Sequence, residues 1–260
     1  VRITKTELKY LRSLTVKKFR DEERKFLLEG WKSLHDALHS DFHVVSIYLV
    51  EARTPSSEQE EILAFAESQQ IPVQEVSEIE LHQITNTVNA QGIVAVVEQK
   101  EKAFSSETLH KAVLVVALDE VSDPGNLGTI LRTCDWFGVD AVLLGKGCVS
   151  LYNEKVVRST SGSIFHLPIY EDVDLLKTLP ELKNNGFTLV STVMDGESLI
   201  QTLLPEKTVL VLGNEAHGVN EAVKKISDRQ VSIPRFGNAE SLNVGVACAV
   251  FLSQWRLVKK

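Results

Sequence analysis

Asn126 and Arg132 stand six residues apart in the run Asp123-Pro-Gly-Asn-Leu-Gly-Thr-Ile-Leu-Arg132. The run lies between an apolar segment, Val113 to Leu118, and a helix-like one that continues through Cys134, Trp136 and Phe137. An amide and a guanidinium at a strand-to-helix switch occupy the place where open α/β folds carry out chemistry. Two further polar groups lie downstream. Gly213-Asn214-Glu215 follows the buried-type run Val209 to Leu212, and Ile233-Pro234 precedes Ser241-Leu242-Asn243 at the entrance of an apolar helix. A glycine at 213 lets a ligand approach the backbone, and a carboxylate just past a strand end lies on the ligand-binding rim of such sheets. Each group also has a plainer reading. Asn126 or Ser241 can cap a helix, Arg132 can lead its charge out to solvent, and Glu215 can sit on an ordinary turn.

Other chemistries are disfavoured by spacing. The glycines of residues 123–128 do not form GxGxxG, and no Lys-Ser/Thr follows as a P-loop requires. His35, His39 and His43 recur every four residues, but the helix that would carry the first two ends near Ser40 and His43 opens a strand, so no metal site is expected. His217, in Glu215-Ala-His-Gly218, is expected to shape the turn. No Ser-His-Asp order or nucleophile elbow is visible.

These residues need a scaffold. In the second part of the chain, Val113–Leu118, Ala141–Leu144, Thr188–Thr192, Thr208–Leu212 and Gln230–Ile233 are short apolar runs of parallel-strand type. They alternate with helical patterns over Asn126–Phe137, Glu154–Ser161, Val173–Asn184, Asn220–Ile226 and about Ala239–Leu257. Such alternation predicts a parallel sheet covered on both faces. The last helix is so completely apolar that it points to a subunit interface as well as a core. Residues 1–98 read as a separate small α/β layer. Its strands are Phe26–Gly30, Val44–Val50, Pro72–Val76 and Gly92–Val97. Its helices are Trp31–Leu38, Ser56–Gln69 with Ser56 or Ser57 as cap, and Ser77–Ile84. Polar residues 99–111 read as a linker to a second domain, 112–260.

With 43% hydrophobic and 24% charged residues, the composition is that of an ordinary globular protein. The start of the chain lacks an apolar signal region and no run is long enough for a membrane span, which predicts a cytoplasmic protein. Cys134, Cys148 and Cys248 stand singly and read as reduced thiols. The net charge of −7 is unevenly spread. Residues 51–80 hold eight acids and one Arg, whereas residues 1–20 hold seven Lys or Arg and one Glu. A basic N-terminal arm is therefore available for phosphates.

The three motifs together resemble the SpoU (TrmH-type) family of RNA ribose 2′-O-methyltransferases, within the SPOUT group. Asn126-x5-Arg132 matches the first family motif, Gly213-x-Glu215 the second, and Ile233-Pro234…Ser241-Leu242-Asn243 the third. The N-terminal part resembles the family's substrate-binding domain of the ribosomal protein L30e fold, with Glu29-Gly30 after its first strand. The resemblance implies an α/β protein whose C-terminal parallel-sheet SPOUT domain is tied in a deep trefoil knot, preceded by a small L30e-like α/β domain. It implies S-adenosylmethionine as cofactor, held by Gly213, Ile233 and Leu242 with a contribution from Thr192, and a homodimer joined through the final helix.

On the same resemblance Arg132 acts at the ribose hydroxyl. A guanidinium does not readily give up its proton, so the expected role of Arg132 is to orient that hydroxyl and stabilise developing negative charge. Asn126, Glu215, Ser241 and Asn243 would position Arg132, the ribose and the cofactor loop. The expected substrate is structured RNA, ribosomal RNA in preference to transfer RNA. The alternatives are a tRNA 2′-O-methyltransferase and a catalytically silent RNA-binding or ribosome-assembly protein of the same fold. Ala216-His217 departs from the Gly or basic residue many family members carry after the glutamate. RNA affinity is expected to rest on Lys5, Lys9, Arg12, Lys17, Lys18 and Arg20 together with the catalytic rim.

Overall fold

The computed structural model describes residues 2–51, 53–85, 91–100 and 103–257. The chain divides into two compact units, residues 1–100 with 152–165, and residues 101–151 with 166–260.

The first unit opens with two helices, α1 (Lys5–Ser13) and α2 (Lys17–Glu23), where composition suggests a loose charged arm. Thr4 and Glu7 form a reciprocal capping box at the start of α1. Leu11 and Leu14 are fully buried, so the segment is an amphipathic hairpin. Arg20 belongs to this core and leaves the set of cations open to RNA. It is only 3% exposed, and its Nη1 donates to the carbonyls of Leu14 and Thr15 at 3.2 and 2.7 Å. Those bonds close the turn between the helices.

The unit continues through β1 (Lys25–Glu29), α3 (Trp31–Leu38), β2 (Val44–Val50), α4 (Ser57–Ser68), β3 (Val73–Val76), α5 (Glu78–Ile84) and β4 (Ile93–Glu98). Ser56 and Ser77 cap α4 and α5 through Ser-x-x-Gln and Ser-x-x-Glu boxes. The sheet order is β1-β4-β2-β3, with β2–β3 parallel and the other pairs antiparallel. The histidine spacing serves ring packing: His35 stacks on His39 at 4.3 Å, and His39 on Phe65 at 4.5 Å.

The second unit is built around β5 (Leu114–Leu118), α6 (Pro124–Phe137) and β6 (Ala141–Gly145). The chain then forms α7 (Glu154–Thr160), β7 (Ile169–Val173), α8 (Leu175–Asn184), β8 (Thr188–Ser198), β9 (Thr208–Leu212), α9 (Glu221–Ile226), β10 (Arg229–Ser232) and α10 (Val244–Leu257). Helix α7 packs against β1, with Arg158 facing Glu29 at 3.6 Å. Residues 152–165 thus group with the first unit and interrupt the continuous domain expected from 112 onward. Residues 103–111 are no loose linker either. Phe104 meets Tyr170 edge-on, and Leu109 and Ala112 enter the second core. Glu101 and Lys102 of the expected linker lie outside the described residues.

Six strands follow the order β10-β8-β9-β5-β6-β7, and every neighbouring pair is parallel. Strands β5, β6 and β9 are buried at every position, as a sheet covered on both faces requires. Strand β7 escapes the apolar pattern because it lies at the sheet edge and exposes Glu171 and Asp172. Strand β8 runs beyond Thr192, but its pairing with β10 passes from Ser191–Gln230 to Glu197–Val231 and skips residues 192–196. Because β5 lies between β9 and β6, the loops leaving β5 and β9 are neighbours on the carboxyl edge of the sheet, where such folds hold ligands.

Removing Arg20 should open the N-terminal hairpin. Arg20→Met is expected to lower the unfolding free energy by about 1–3 kcal/mol, since two carbonyls lose their donor. Exposed Lys9→Ala should stay within about 0.5 kcal/mol of the parent. Urea denaturation followed by circular dichroism compares the two, and equal midpoints would remove Arg20 from the support of the turn.

Candidate active site

The start of α6 differs from the simplest reading of its sequence. Asp123, not Asn126, is the N-cap: its Oδ1 accepts the Asn126 main-chain N–H at 2.8 Å. Pro124 follows at the first helical position, where no donor is needed. The helix is therefore capped without the Asn126 side chain, which reaches across to both other motifs. Its Nδ2 donates to Glu215 Oε1 at 2.9 Å, and its Oδ1 accepts from Asn243 Nδ2 at 2.7 Å. Asn243 uses its own Oδ1 to accept the main-chain N–H groups of Gly245 and Val246 at 2.9 and 3.3 Å. Asn243 thereby caps α10, which begins at Val244 and not near Ala239.

A carboxamide suits the middle of this chain because it donates at one end and accepts at the other. An aspartate at 126 would set a carboxylate against Glu215, and an apolar side chain would serve neither partner. Glu215 also accepts the main-chain N–H groups of Asp123 at 3.3 Å and Ser122 at 3.5 Å. Partial burial pushes its carboxyl upward, but the hydrogen bonds from Asn126 and from main-chain N–H groups outweigh it and hold the group below the ordinary glutamate range.

The turn that carries Glu215 is set by Gly213 and Asn214. A Cβ on Gly213 would lie 2.1 Å from the main chain at Gly218 and Val219. The glycine is thus demanded by the protein's own returning chain, where ligand approach was the first expectation. Asn214 Oδ1 accepts the N–H groups of Ala216 and His217, and its Nδ2 donates to the Glu120 carbonyl at 2.8 Å. His217 takes part in the turn through its main chain. Val219 and Asn220 follow, and the Asn220 N–H is held by Asp119 Oδ2 at 2.7 Å. Asp119, at the end of β5, is buried, and that burial raises its carboxyl above the ordinary aspartate range despite the Asn220 bond.

Sequence reasoning passed over Asn214, Asp119 and Asp123. Only the last left a signal, the Asp-Pro pair typical of a helix start.

Arg132 lies six residues, less than two helical turns, beyond Asn126 on α6, about 9 Å along the axis. It is exposed and makes no hydrogen bond or ion pair among the described residues. Ser241 is exposed in the segment before α10 and stands outside the Glu215–Asn126–Asn243 chain. Thr192 begins the stretch of β8 that skips pairing, Ile233 follows the end of β10 half-buried, and Leu242 is 49% exposed. Residues 234–242 make no main-chain hydrogen bond to another described main-chain group. The Ala239 carbonyl accepts from Arg235 Nη1 at 3.4 Å and Pro234 has no N–H, but most of the other main-chain groups are open to a polar ligand, and exposed Phe236 and Leu242 offer apolar surface beside them. A ligand with both a flat aromatic part and a polar, charged tail matches that mixture.

Fold and site together define a parallel α/β domain with a ligand rim at the carboxyl ends of its strands. Comparison with known proteins narrows this. A family described as SpoU rRNA Methylase matches residues 113–253, and one described as MRM3-like substrate binding domain matches residues 5–95. The chain belongs to the SpoU rRNA methylase family.

The chain is 35% identical over 252 residues to the 23S rRNA (guanosine(2553)-2′-O)-methyltransferase RlmP of Bacillus subtilis, covering 96% of each protein. It is 33% identical over 218 residues to the 23S rRNA (guanosine-2′-O-)-methyltransferase RlmB of Neisseria meningitidis, covering 82% of this chain and 87% of that one. The crystal structure of an AdoMet-bound rRNA methyltransferase from Sinorhizobium meliloti superposes with a TM-score of 0.85 at 30% identity, over 100% of this chain and 98% of that one.

Breaking the centre of the hydrogen-bond chain should be visible in the titration of Glu215. In Asn126→Ala its carboxyl is expected to move up toward the ordinary glutamate value, followed by carbon-detected NMR of the side chain. Because the folded carboxyl lies below its unfolded value, its contribution to stability is present at neutral pH and fades as pH falls through the folded value. That acid-range loss of stability should be smaller in the variant. An unmoved Glu215 titration would mean that Asn126 does not hold it.

Proposed function

We propose that this protein is an S-adenosylmethionine-dependent RNA 2′-O-ribose methyltransferase acting on ribosomal RNA. The observation that carries this reading is the Glu215–Asn126–Asn243 chain, which joins the three family motifs into one rim. The names of the Bacillus and Neisseria relatives and the AdoMet in the Sinorhizobium structure support the same reading. With ribosomal RNA as substrate, the cytoplasm is the proposed location.

The cofactor supplies a methyl group already activated on a sulfonium. The open main-chain groups of residues 234–242, with Gly213, Ile233, Leu242 and Thr192, are the proposed holders of that molecule. Arg132, charged and without a partner among the described residues, is free to pair with an RNA phosphate and to hold the 2′-hydroxyl. There its N–H groups orient the oxygen and stabilise negative charge as it develops. It does not serve as the base, because a guanidinium keeps its proton; the hydroxyl proton leaves to water as the oxygen is methylated. Asn126, Glu215 and Asn243 fix the start of α6 and of α10 and so set where Arg132 and the 234–242 loop lie. Ser241 is assigned to the ribose side of that loop. Alignment of hydroxyl and methyl donor contributes much of the acceleration.

Two finer features belong to this reading. The trefoil knot is supported by the path from β10, beside β8 at the sheet edge, to α10 packed on α6. A homodimer is supported by apolar surface on the same helix pair: Trp136 is 85% exposed, with Val246, Val250 and Leu257 exposed on α10. Such a face calls for cover by a second copy.

Arg132→Ala should reduce single-turnover methyl transfer about 10²- to 10³-fold while calorimetric binding of S-adenosylmethionine is unchanged. Full transfer by the variant would overturn the role given to Arg132. Light scattering during gel filtration should give a dimer for the parent chain and a monomer for Val246→Glu/Val250→Glu. A parent monomer would sink the dimer assignment.

A further inference from the structure

We propose that the α1–α2 hairpin of the first unit is a docking surface for structured RNA, in which a row of cations holds phosphates and Phe19 stacks on an unpaired base. This rests on the proposed action on RNA and adds where, and how, the first unit grips it. Lys5, Lys9 and Arg12 recur at helical spacing and form an exposed row about 10 Å long on α1. The opposite side of the helix turns Leu11 into the core. Lys17 and Lys18 continue the charge at the start of α2.

The row keeps its charge. Among the described residues Lys5, Lys9, Arg12 and Lys17 make no ion pair, and Lys18 meets Glu22 only at 3.9 Å in an exposed pair. Glu7, the acid on α1, is occupied. Its Oε2 accepts from the N–H and hydroxyl of Thr4, and its Oε1 from Gln74 Nε2. The other acids on the hairpin, Asp21 and Glu23, lie in the later part of α2. Residues 51–80 carry eight acids and one Arg; the end of that stretch packs beside α1, and Arg2 pairs with Glu51 at 3.0 Å. A polyanion is therefore drawn to the exposed cation row and the α2 start, and not to the acidic stretch.

The apolar part of the patch indicates the kind of polyanion. Val16 is 50% and Phe19 41% exposed, and Lys18 Nζ lies 6.0 Å from the Phe19 ring centroid. Phosphates of a closed duplex would use the cations and leave the ring idle. An unpaired base in a loop or bulge would use both, since ring stacking and backbone neutralisation are how single-stranded RNA segments are held.

The test is fluorescence anisotropy on the full chain with two labelled probes, an RNA stem closed by an unpaired loop and a blunt RNA duplex. Lys5→Ala/Lys9→Ala/Arg12→Ala should weaken both probes and reduce the slope of log affinity against log salt by about 2–3. Lys5→Arg/Lys9→Arg should keep the parent slope. Phe19→Ala should weaken the looped probe about tenfold and leave the duplex unchanged, with Phe19→Trp restoring the parent value.

An unaltered salt slope in the triple variant overturns the docking surface. So does an equal Phe19→Ala loss on both probes, which would make the ring a support of the fold. Competition by polyglutamate as strong as that by RNA would reduce the patch to a general anion site and overturn the RNA assignment. The two readings fail separately. Methyl transfer to RNA with unaltered binding by the triple variant removes the surface alone. Hairpin-dependent RNA binding without transfer by the parent removes the activity alone.

Discussion

The second unit depends on one side chain that must be donor and acceptor at once. Asn126 gives its N–H to Glu215 and its carbonyl oxygen to Asn243, so two segments that share no strand pairing with α6 are held to its first turn. The bond to Glu215 is charge-assisted and stronger than a neutral one. The bond from Asn243 continues into the first N–H groups of α10. Position of the rim, part of the lowering of the Glu215 carboxyl and the seating of Asn243 at the start of the last helix all draw on one amide with both ends in use.

Around that amide the structure is tight where geometry must hold and open where a ligand must enter. Gly213 has no room for a methyl group, Asn214 ties its turn to the Glu120 carbonyl, and buried Asp119 holds Asn220 on the far side. Residues 234–242 show the opposite character, with most main-chain groups left open between two well-anchored ends. Arg132 shares this openness: its helix is fixed, and its charge has no partner among the described residues. A rigid support beneath free donors suits binding that exchanges water for ligand with little rearrangement of the fold.

Much of this was legible in the residue order. Apolar runs such as Val209–Leu212, short and alternating with helical patterns, mark interior strands, and the serines at 56 and 77 mark their helices three residues ahead of Gln59 and Glu80. Three kinds of feature were not legible. Strand β7 carries two acids because only one of its edges is paired, and an edge strand has no obligatory apolar pattern. In α1 and α2 the cations outnumber the leucines that anchor them, and nothing in the type of Arg20 tells that its charge points inward to two carbonyls. The grouping of residues 152–165 with the first unit depends on packing of α7 on β1, which neighbouring residues do not encode. Within the site, residue types named the participants, but which of them touch was set by sheet order. Asp123 could have been chosen over Asn126 as the cap from Pro124 alone.

The bonds of Asn126 join residues 89 and 117 positions apart along the chain. Contacts so distant cannot guide the early search of a folding chain, because the intervening loops must first lose their freedom. The parallel sheet sets the same condition, since β9 must settle beside β5, pairing Leu114 with Thr208, before Glu215 can meet Asn126. The rim can therefore form no earlier than that central pairing: helices can form locally while the three motifs are still strangers to each other. A molecule with its helices formed and its central strands unpaired would carry none of the chemistry of the finished protein.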